Sequence, residues 1–205
     1  MDSYLTIEKL ARVITNIKKS KFVASLKNVK NEKEAKNFIN EIKKEFKDAS
    51  HNPYAYVVND IFNSSDDGEP LNTAGKPILD LILKKNLKNV VIVVTRYFGG
   101  IKLGIGGLIR AYREAALNGI EASDIVEKFY EEETSFFVDY EFFGDINKMI
   151  QKYHCKILEK KMENKAFFKV LVKKRDKENF LNEILKKTKG NVTIQKNYIT
   201  TKEKN

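Results

Sequence analysis

The sequence of 205 residues is short of cysteine and of long apolar runs, and each shortage excludes a class of protein. With Cys155 as its single cysteine, the chain forms no internal disulfide and no cysteine-based metal site. The apolar run 90–94 has the length of a strand, whereas a membrane span requires roughly 18 apolar residues. The first ten residues lack the basic and apolar regions of a secretory signal. We therefore expect a cytosolic protein with no membrane partner.

The composition that remains is that of a globular protein with a strong positive charge. Hydrophobic residues make up 42% of the chain, and the net charge is +10. Residues 1–130 carry +5, and the much shorter segment 131–205 carries the same charge. Such an excess attracts polyanionic partners over long distances and favours binding through counterion release. Alternatively, the many lysines, asparagines and isoleucines reflect the base composition of the genome.

Apolar periodicity predicts an α+β protein of two domains, at residues 1–128 and 131–201. In the first domain we expect strands at 11–17, 21–26, 54–58 and from 90 onward, and helices after the cap Asn31, from about Pro77, and after a glycine-rich loop. In the second we expect strands at 134–140, 155–159, 166–173 and 192–199, and helices near 146–153 and 177–187, the latter capped by Asp176 and ended by Gly190. This β-α-β-β-α-β order is typical of a ferredoxin-like domain.

The segment 90–116 is the most unusual part of the chain, and it reads as a strand, a glycine-rich loop and a helix. Five of the ten glycines lie within nine residues here, and three of only five arginines lie within eighteen. Glycines at a helix start leave backbone N–H groups free, the helix dipole adds positive potential, and guanidinium groups bind phosphate in two places at once. We therefore predict a phosphate- or nucleic-acid-binding site formed by Arg96, Tyr97, Gly99, Gly100, Lys102, Gly104, Gly106, Gly107, Arg110 and Arg113.

Other interpretations of the same segment stay open. Its spacing fits neither the P-loop nor the dinucleotide fingerprint. The glycines alternatively serve only a tight connection between strand and helix, and Arg110, in or near the first helical turn, then pairs with Glu114. Tyr97 and Phe98 are able to stack on bases, but they also suit a core.

An acidic turn at 66–69 is the second conspicuous feature. We predict a polar cluster that contains His51, Asp66, Asp67, Glu69, Thr73 and Lys76. One interpretation is a divalent-metal or general-base site with His51. The other is a solvated turn whose carboxylates fix Arg96 or Lys76. Hard cations need more oxygen ligands than this segment supplies, so we assign no metal, no cofactor and no catalytic residue.

Together these segments resemble the IMPACT family, whose bacterial members are called YigZ-type proteins. The matching motifs lie at 48–52, 55–56, 65–70, 73–77, 93–104 and 106–112. The similarity covers about residues 15–120, and the C-terminal part fits the smaller second domain of bacterial members. Two departures stand out: Pro53 replaces the usual cysteine, and Leu71-Asn72 replaces a small residue and a glycine.

The resemblance implies a first domain similar to the fourth domain of elongation factor G and to a ribosomal-protein domain. It implies a second domain similar to the ferredoxin-like fifth domain of that factor. Eukaryotic relatives carry an extra N-terminal domain and regulate translation by binding the ribosome-associated activator of a starvation-sensing kinase. We therefore expect a cytosolic RNA- or ribosome-binding protein with an accessory or regulatory role in translation.

Two alternatives to this function make different structural predictions. An enzyme acting on a small phosphorylated substrate through the acidic turn predicts a closed pocket that joins the turn to the glycine loop. A protein-interaction module that regulates a translation-stress pathway predicts arginines paired with Asp66, Asp67 or Glu69. The sequence assigns neither a particular partner nor an oligomeric state.

Overall fold

The computed structural model describes residues 2–195, and these divide into two units. The first unit is Tyr4–Lys128, and the second consists of residues 2–3 and 129–195. Each unit combines helices with an antiparallel sheet. The predicted two-domain α+β fold is therefore confirmed. Among the described residues, no helix is long and apolar enough to cross a membrane.

The first unit is built on a five-stranded sheet. In chain order its elements are β1 (Ser3–Ile7), β2 (Ala11–Ile17), β3 (Ser20–Asn28), α1 (Glu32–Glu45), β4 (Tyr54–Val58), β5 (Ile61–Ser65), α2 (Gly75–Lys84), β6 (Val90–Tyr97), α3 (Gly104–Glu121) and β7 (Ile125–Phe129). The strand order of the sheet is β2-β3-β6-β4-β5, and neighbouring strands are antiparallel. The strands β1 and β7 pair separately.

The central strand β6 explains why the sheet is covered on both faces. Its side chains alternate, so Val90, Ile92 and Val94 enter the core formed with α2 and α3. Val91 and Val93 point the other way and pack against α1. Because both faces of this strand are buried, neither face requires polar side chains, and this accounts for the continuous apolar run 90–94.

The helix α1 forms as its sequence predicts. The Asn31 side chain accepts a hydrogen bond from the Glu34 backbone N–H at 2.9 Å, and the Glu34 carboxylate accepts one from the Lys30 N–H at 2.9 Å. One apolar stripe faces the sheet, with Ala35, Phe38, Ile39 and Ile42 buried and Phe46 partly buried.

Several details of the first unit differ from the prediction. The helix α2 begins at Gly75, so Pro77 is its third residue, where the missing N–H still costs no intrahelical bond. The strands β1, β5 and β7 were not predicted. The sequence of β5 is mostly polar, and its first three residues are exposed. Pairing with β4 alone makes it the edge of the sheet.

The second unit has the predicted β-α-β-β-α-β order. Its elements are β8 (Glu131–Val138), α4 (Phe143–Lys152), β9 (Lys156–Met162), β10 (Ala166–Lys173), α5 (Lys177–Lys187) and β11 (Val192–Gln195). The antiparallel sheet has the order β11-β8-β10-β9, with Phe136, Phe168 and Phe180 in its core. The remainder of the predicted last strand, 196–199, lies outside the described residues.

The ends of α5 test two predictions in the second unit. Asp176 does not cap the helix, because its backbone is already helical and its side chain makes no capping bond. Gly190 does follow the helix end, with a φ of 86° that suits glycine, and its N–H donates to the Leu185 carbonyl at 2.9 Å.

Close packing of α3 on the sheet depends on Gly119. A Cβ atom at this position would lie 2.4 Å from Leu26 Cδ1 and 3.1 Å from Ala24 Cβ. Leu26 and Ala24 are fully buried in β3, so neither side chain has room to move. The absence of a side chain at Gly119 therefore sets how closely α3 approaches the strand.

We expect Gly119→Ala to destabilise the protein by about 1–3 kcal/mol, because overpacking outweighs the gain in helix propensity. Gly106→Ala in the same helix is the control, since the nearest atom to its Cβ is 3.5 Å away on a flexible arginine. That substitution should be neutral or stabilise by up to about 1 kcal/mol. Urea unfolding measures both, and equal stabilities for the two variants would contradict the packing argument.

Candidate functional site

A buried ion pair lies at the C-terminal end of β6. Arg96 Nη1 is 2.6 Å from Glu69 Oε1, and the Tyr112 hydroxyl donates a hydrogen bond to the same oxygen at 2.7 Å. The Arg96 and Glu69 side chains are only 7% and 3% exposed. The structure thus places Arg96 inside the protein, whereas the sequence predicted it as one of the phosphate- or nucleic-acid-binding residues.

The surroundings of Arg96 hold it in place. Its guanidinium carbon is 5.6 Å from the Phe22 ring centre and 5.4 Å from that of Phe98. Within the described residues, the buried Nε atom has no hydrogen-bond partner. Burial, followed by the hydrogen bond to Glu69, raises the pKa of Tyr112 far above its ordinary value. The tyrosine therefore remains a protonated donor.

Asp66, the first carboxylate of the acidic turn, holds the start of α2. Its Oδ1 accepts hydrogen bonds from the backbone N–H groups of Ala74 and Gly75, both at 2.9 Å, and Oδ2 accepts one from Asn72 at 2.8 Å. A carboxylate at this position satisfies free N–H groups and complements the helix dipole. Asp66 is thus a distant cap for α2.

Asp67 joins the acidic turn to α1 and to the segment before β4. Its carboxylate contacts Lys43 Nζ and accepts a hydrogen bond from the Asn52 N–H at 2.7 Å. Its backbone carbonyl lies 2.8 Å from His51 Nδ1. Since a carbonyl only accepts, Nδ1 carries a proton in this contact, and in the neutral form of imidazole the other nitrogen, Nε2, is then an acceptor.

The other members of the predicted polar cluster also bond locally. The Thr73 hydroxyl donates to the Pro70 carbonyl at 2.6 Å, and Lys76 pairs with Asp80 along α2. In the part of the chain that the structure describes, no three His, Cys, Asp or Glu side chains are grouped so that they could hold a metal ion. The carboxylates of the turn thus serve the fold, and Glu69 is the one that fixes Arg96.

The first half of the glycine loop packs against the turn between β2 and β3. A Cβ atom at Gly99 would lie 1.9 Å from the Lys19 carbonyl oxygen, so only glycine fits. The Gly99 N–H donates to Ser20 Oγ at 3.2 Å, and the Phe98 N–H donates to Ser50 Oγ at 3.1 Å. These two amides are consequently not available to a ligand.

The second half of the loop leads into an uncapped helix. Gly100 and Gly104 have φ values of 84° and 70°, which permit the turn into α3. No side chain caps the helix at Leu103, so the N–H groups of its first turn have no intrahelical or capping partner. Because α3 begins at Gly104, Arg110 is its seventh residue and lies in the second turn, next to the first turn in or near which it was predicted.

Exposed cations surround this helix start. Lys102, Arg110 and Arg113 are exposed, and within residues 2–195 none of them forms an ion pair, so the alternative Arg110–Glu114 pair is not present. Tyr97, by contrast, has its hydroxyl bonded to Asp48 at 3.0 Å and its ring next to Lys21 Nζ.

The β2–β3 turn adds two further cations that our site prediction omitted. Lys18 and Lys19 are exposed, and the packing of Gly99 on the Lys19 carbonyl places this turn beside the glycine loop. The lysine-rich turn was visible in the sequence, but nothing in the sequence linked it to a loop about 80 residues away. We call Lys18, Lys19, Lys102, Arg110 and Arg113 the basic surface.

Two open pockets flank the start of α3. The first, which we call the loop pocket, has a volume of about 490 Å³ and lies between the segment at His51, the acidic turn and the glycine loop. The second has a volume of about 520 Å³ and lies between α2 and α3, where Lys76, Lys84 and Arg113 contribute to its wall.

The first unit is thus a five-stranded antiparallel sheet. Its central strand, β6, leads through the glycine loop into the uncapped helix α3. Residues 18–120 match the Impact N-terminal domain. The chain belongs to the IMPACT family, and the resemblance inferred from its motifs is confirmed.

Curated relatives and a solved structure agree with this assignment. IMPACT family member YvyE of Bacillus subtilis is 41% identical over 155 residues, which cover 74% of this chain and 71% of that protein. IMPACT family member YigZ of Escherichia coli is 39% identical over 117 residues, or 55% and 57% of the two chains. A crystal structure of a hypothetical protein has a TM-score of 0.73 at 27% identity and covers 95% of this chain and 97% of its own.

We expect Glu69→Gln to lower the free energy of unfolding by about 3–5 kcal/mol, because it leaves the buried Arg96 charge without a counterion. Tyr112→Phe should cost about 1.5–3 kcal/mol, since it removes a hydrogen bond to a charged group. Asp80→Asn, which breaks an exposed pair on α2, is the control and should cost less than about 1 kcal/mol. Urea unfolding compares them, and a Glu69→Gln variant as stable as Asp80→Asn would refute the role of the pair.

Proposed function

We propose that this protein binds RNA or the ribosome in the cytoplasm and has an accessory or regulatory role in translation. The basic surface and the first turn of α3 contact phosphate groups. Membership of the IMPACT family supports this proposal, and so does the net charge of +10.

The observation that carries the proposal is the combination of unpaired cations with an uncapped helix start. The buried carboxylate of Glu69 binds Arg96, but the cations of the basic surface have no ion-pair partner within the described residues. The N–H groups of the first turn of α3 are likewise without a side-chain cap. Negatively charged oxygens of a phosphate backbone would pair with the cations and would accept hydrogen bonds from the N–H groups.

Arg110 is well placed to act with the helix start. A Cβ atom at Gly106 would lie 3.5 Å from Arg110 Nη1, so the guanidinium reaches back over the first turn of α3. This direction is normal for long side chains on a helix. The guanidinium and the free N–H groups can therefore share one phosphate.

The two alternatives are less well supported. The loop pocket does join the acidic turn to the glycine loop, but it is open, and the three carboxylates of the turn are engaged in internal bonds. A purely structural role for the arginines predicts that they pair with the acidic turn, and only Arg96 does so among the residues that the structure describes. RNA binding accounts for Arg110 and Arg113 as well.

The proposal predicts that Arg110→Ala/Arg113→Ala weakens RNA binding about equally for all sequences. In a salt series, log affinity falls with log salt, and this fall should be less steep in the variant. The magnitude of the slope should be smaller by roughly 0.7–0.9 for each phosphate group that the variant no longer neutralises. Fluorescence anisotropy with a labelled RNA oligonucleotide measures both quantities.

The matched control is Lys33→Ala/Lys44→Ala on α1, which packs on the opposite face of the sheet. Both lysines are exposed. Because two cations are removed in each case, the control changes the net charge by the same amount as Arg110→Ala/Arg113→Ala. An equal loss of affinity in both variants would indicate attraction by net charge alone. Absence of RNA binding at low salt, together with absence of the protein from ribosomal fractions on a density gradient, would overturn the proposal.

A further inference from the structure

We propose that the loop pocket binds one unstacked nucleotide unit, a flat heterocyclic ring that carries a phosphate. This inference deepens the proposed function and rests on it where the nucleotide belongs to an RNA. The same chemistry is present in a free mononucleotide, and the experiment below distinguishes the two sources.

The walls of the pocket are too apolar to suit a phosphate group alone. Pro70, Leu103, Ile105 and Leu108 contribute to the wall, and the volume of about 490 Å³ lies within the usual range for small-molecule sites of about 300–1,000 Å³. An inorganic anion gains nothing from apolar walls. A ligand that fills the pocket therefore has an apolar, ring-sized part in addition to its charge.

Phe98 provides a stacking surface for that ring. The residue is 49% exposed, although the guanidinium of Arg96 lies 5.4 Å from its ring centre. Its backbone N–H is bonded to Ser50 Oγ, which fixes the position of the residue beside the pocket. Exposed aromatic rings of this kind bind unpaired bases by stacking, with little dependence on the base.

The phosphate end is defined by two independent features. The uncapped start of α3 and Lys102 both form part of the pocket wall. Arg96 also lines the pocket, with its side chain more than nine-tenths buried and its Nε unpartnered within the described residues. Since Glu69 neutralises Arg96, the uncompensated positive potential comes from Lys102 and the helix, and it favours an anion at that end.

Polar groups on the opposite side suit the edge of a base. His51 lines the pocket, and because its Nδ1 donates to the Asp67 carbonyl, Nε2 is the acceptor of the imidazole in its neutral form. The Ser50 hydroxyl, which also lines the pocket, accepts from Phe98 and has its own proton free to donate. One acceptor and one donor next to a stacking ring match an exposed base edge, which a base-paired duplex does not offer.

The test measures binding of the full chain to a single-stranded RNA 10-mer, to a duplex of the same length and to AMP. We expect the wild type to prefer the single strand at least tenfold at equal salt. Phe98→Leu, which keeps apolar bulk but removes the aromatic ring, should lower single-strand affinity roughly fivefold or more, with an unchanged salt slope and unchanged duplex binding. Phe62→Leu on β5 is the control, because Phe62 is an exposed phenylalanine that does not line the pocket.

The outcomes separate this inference from the proposed function. Thermal stabilisation by AMP that Phe98→Leu abolishes, with neither RNA binding nor co-sedimentation with ribosomal particles, would keep the pocket inference and overturn the proposed function. RNA binding that Phe98→Leu leaves unchanged, with no response to AMP, would overturn the pocket inference alone. If neither RNA nor AMP binds, both fail.

Discussion

The hydrogen-bonded ion pair between Arg96 and Glu69 is the constraint on which the rest of the first unit depends. It connects the end of the central strand to the acidic turn, and Tyr112 adds α3 to the same carboxylate oxygen. Three segments that are far apart in the sequence are thus held at one buried oxygen atom. A buried charge without its partner is strongly destabilising, so loss of this ion pair would disturb all three segments.

The glycine loop has two halves with different tasks. Gly99 is needed because backbone atoms of the β2–β3 turn leave no space for a side chain, and its N–H is used in that packing. From Gly104 onward the backbone opens a helix whose first N–H groups have no cap. The first half therefore anchors the loop, and the rigid anchor holds the second half open to solvent.

The elements that were predicted correctly are those whose structure depends on the spacing of residues within the element itself. The run 90–94, the cap Asn31 and the stripe of α1 have periods and spacings that specify their structure without knowledge of neighbours. The edge strand β5 and the burial of Arg96 were not predictable in this way, since each depends on a partner brought close by the fold. The same reason explains why three clustered arginines looked alike in the sequence although one of them belongs to the core.

Separation of the buried arginine from the exposed cations has a consequence for how such a protein changes over time. Replacement of Arg110 or Arg113 alters only groups at the surface, whereas Arg96 cannot be exchanged without disturbing the interior. Descendant lineages are thus free to tune ligand preference by drift in the solvent-facing positions while the scaffold stays constant. Sequence differences among homologues should accordingly occur mainly at exposed positions such as Arg110 and Arg113, whereas Arg96 should be retained.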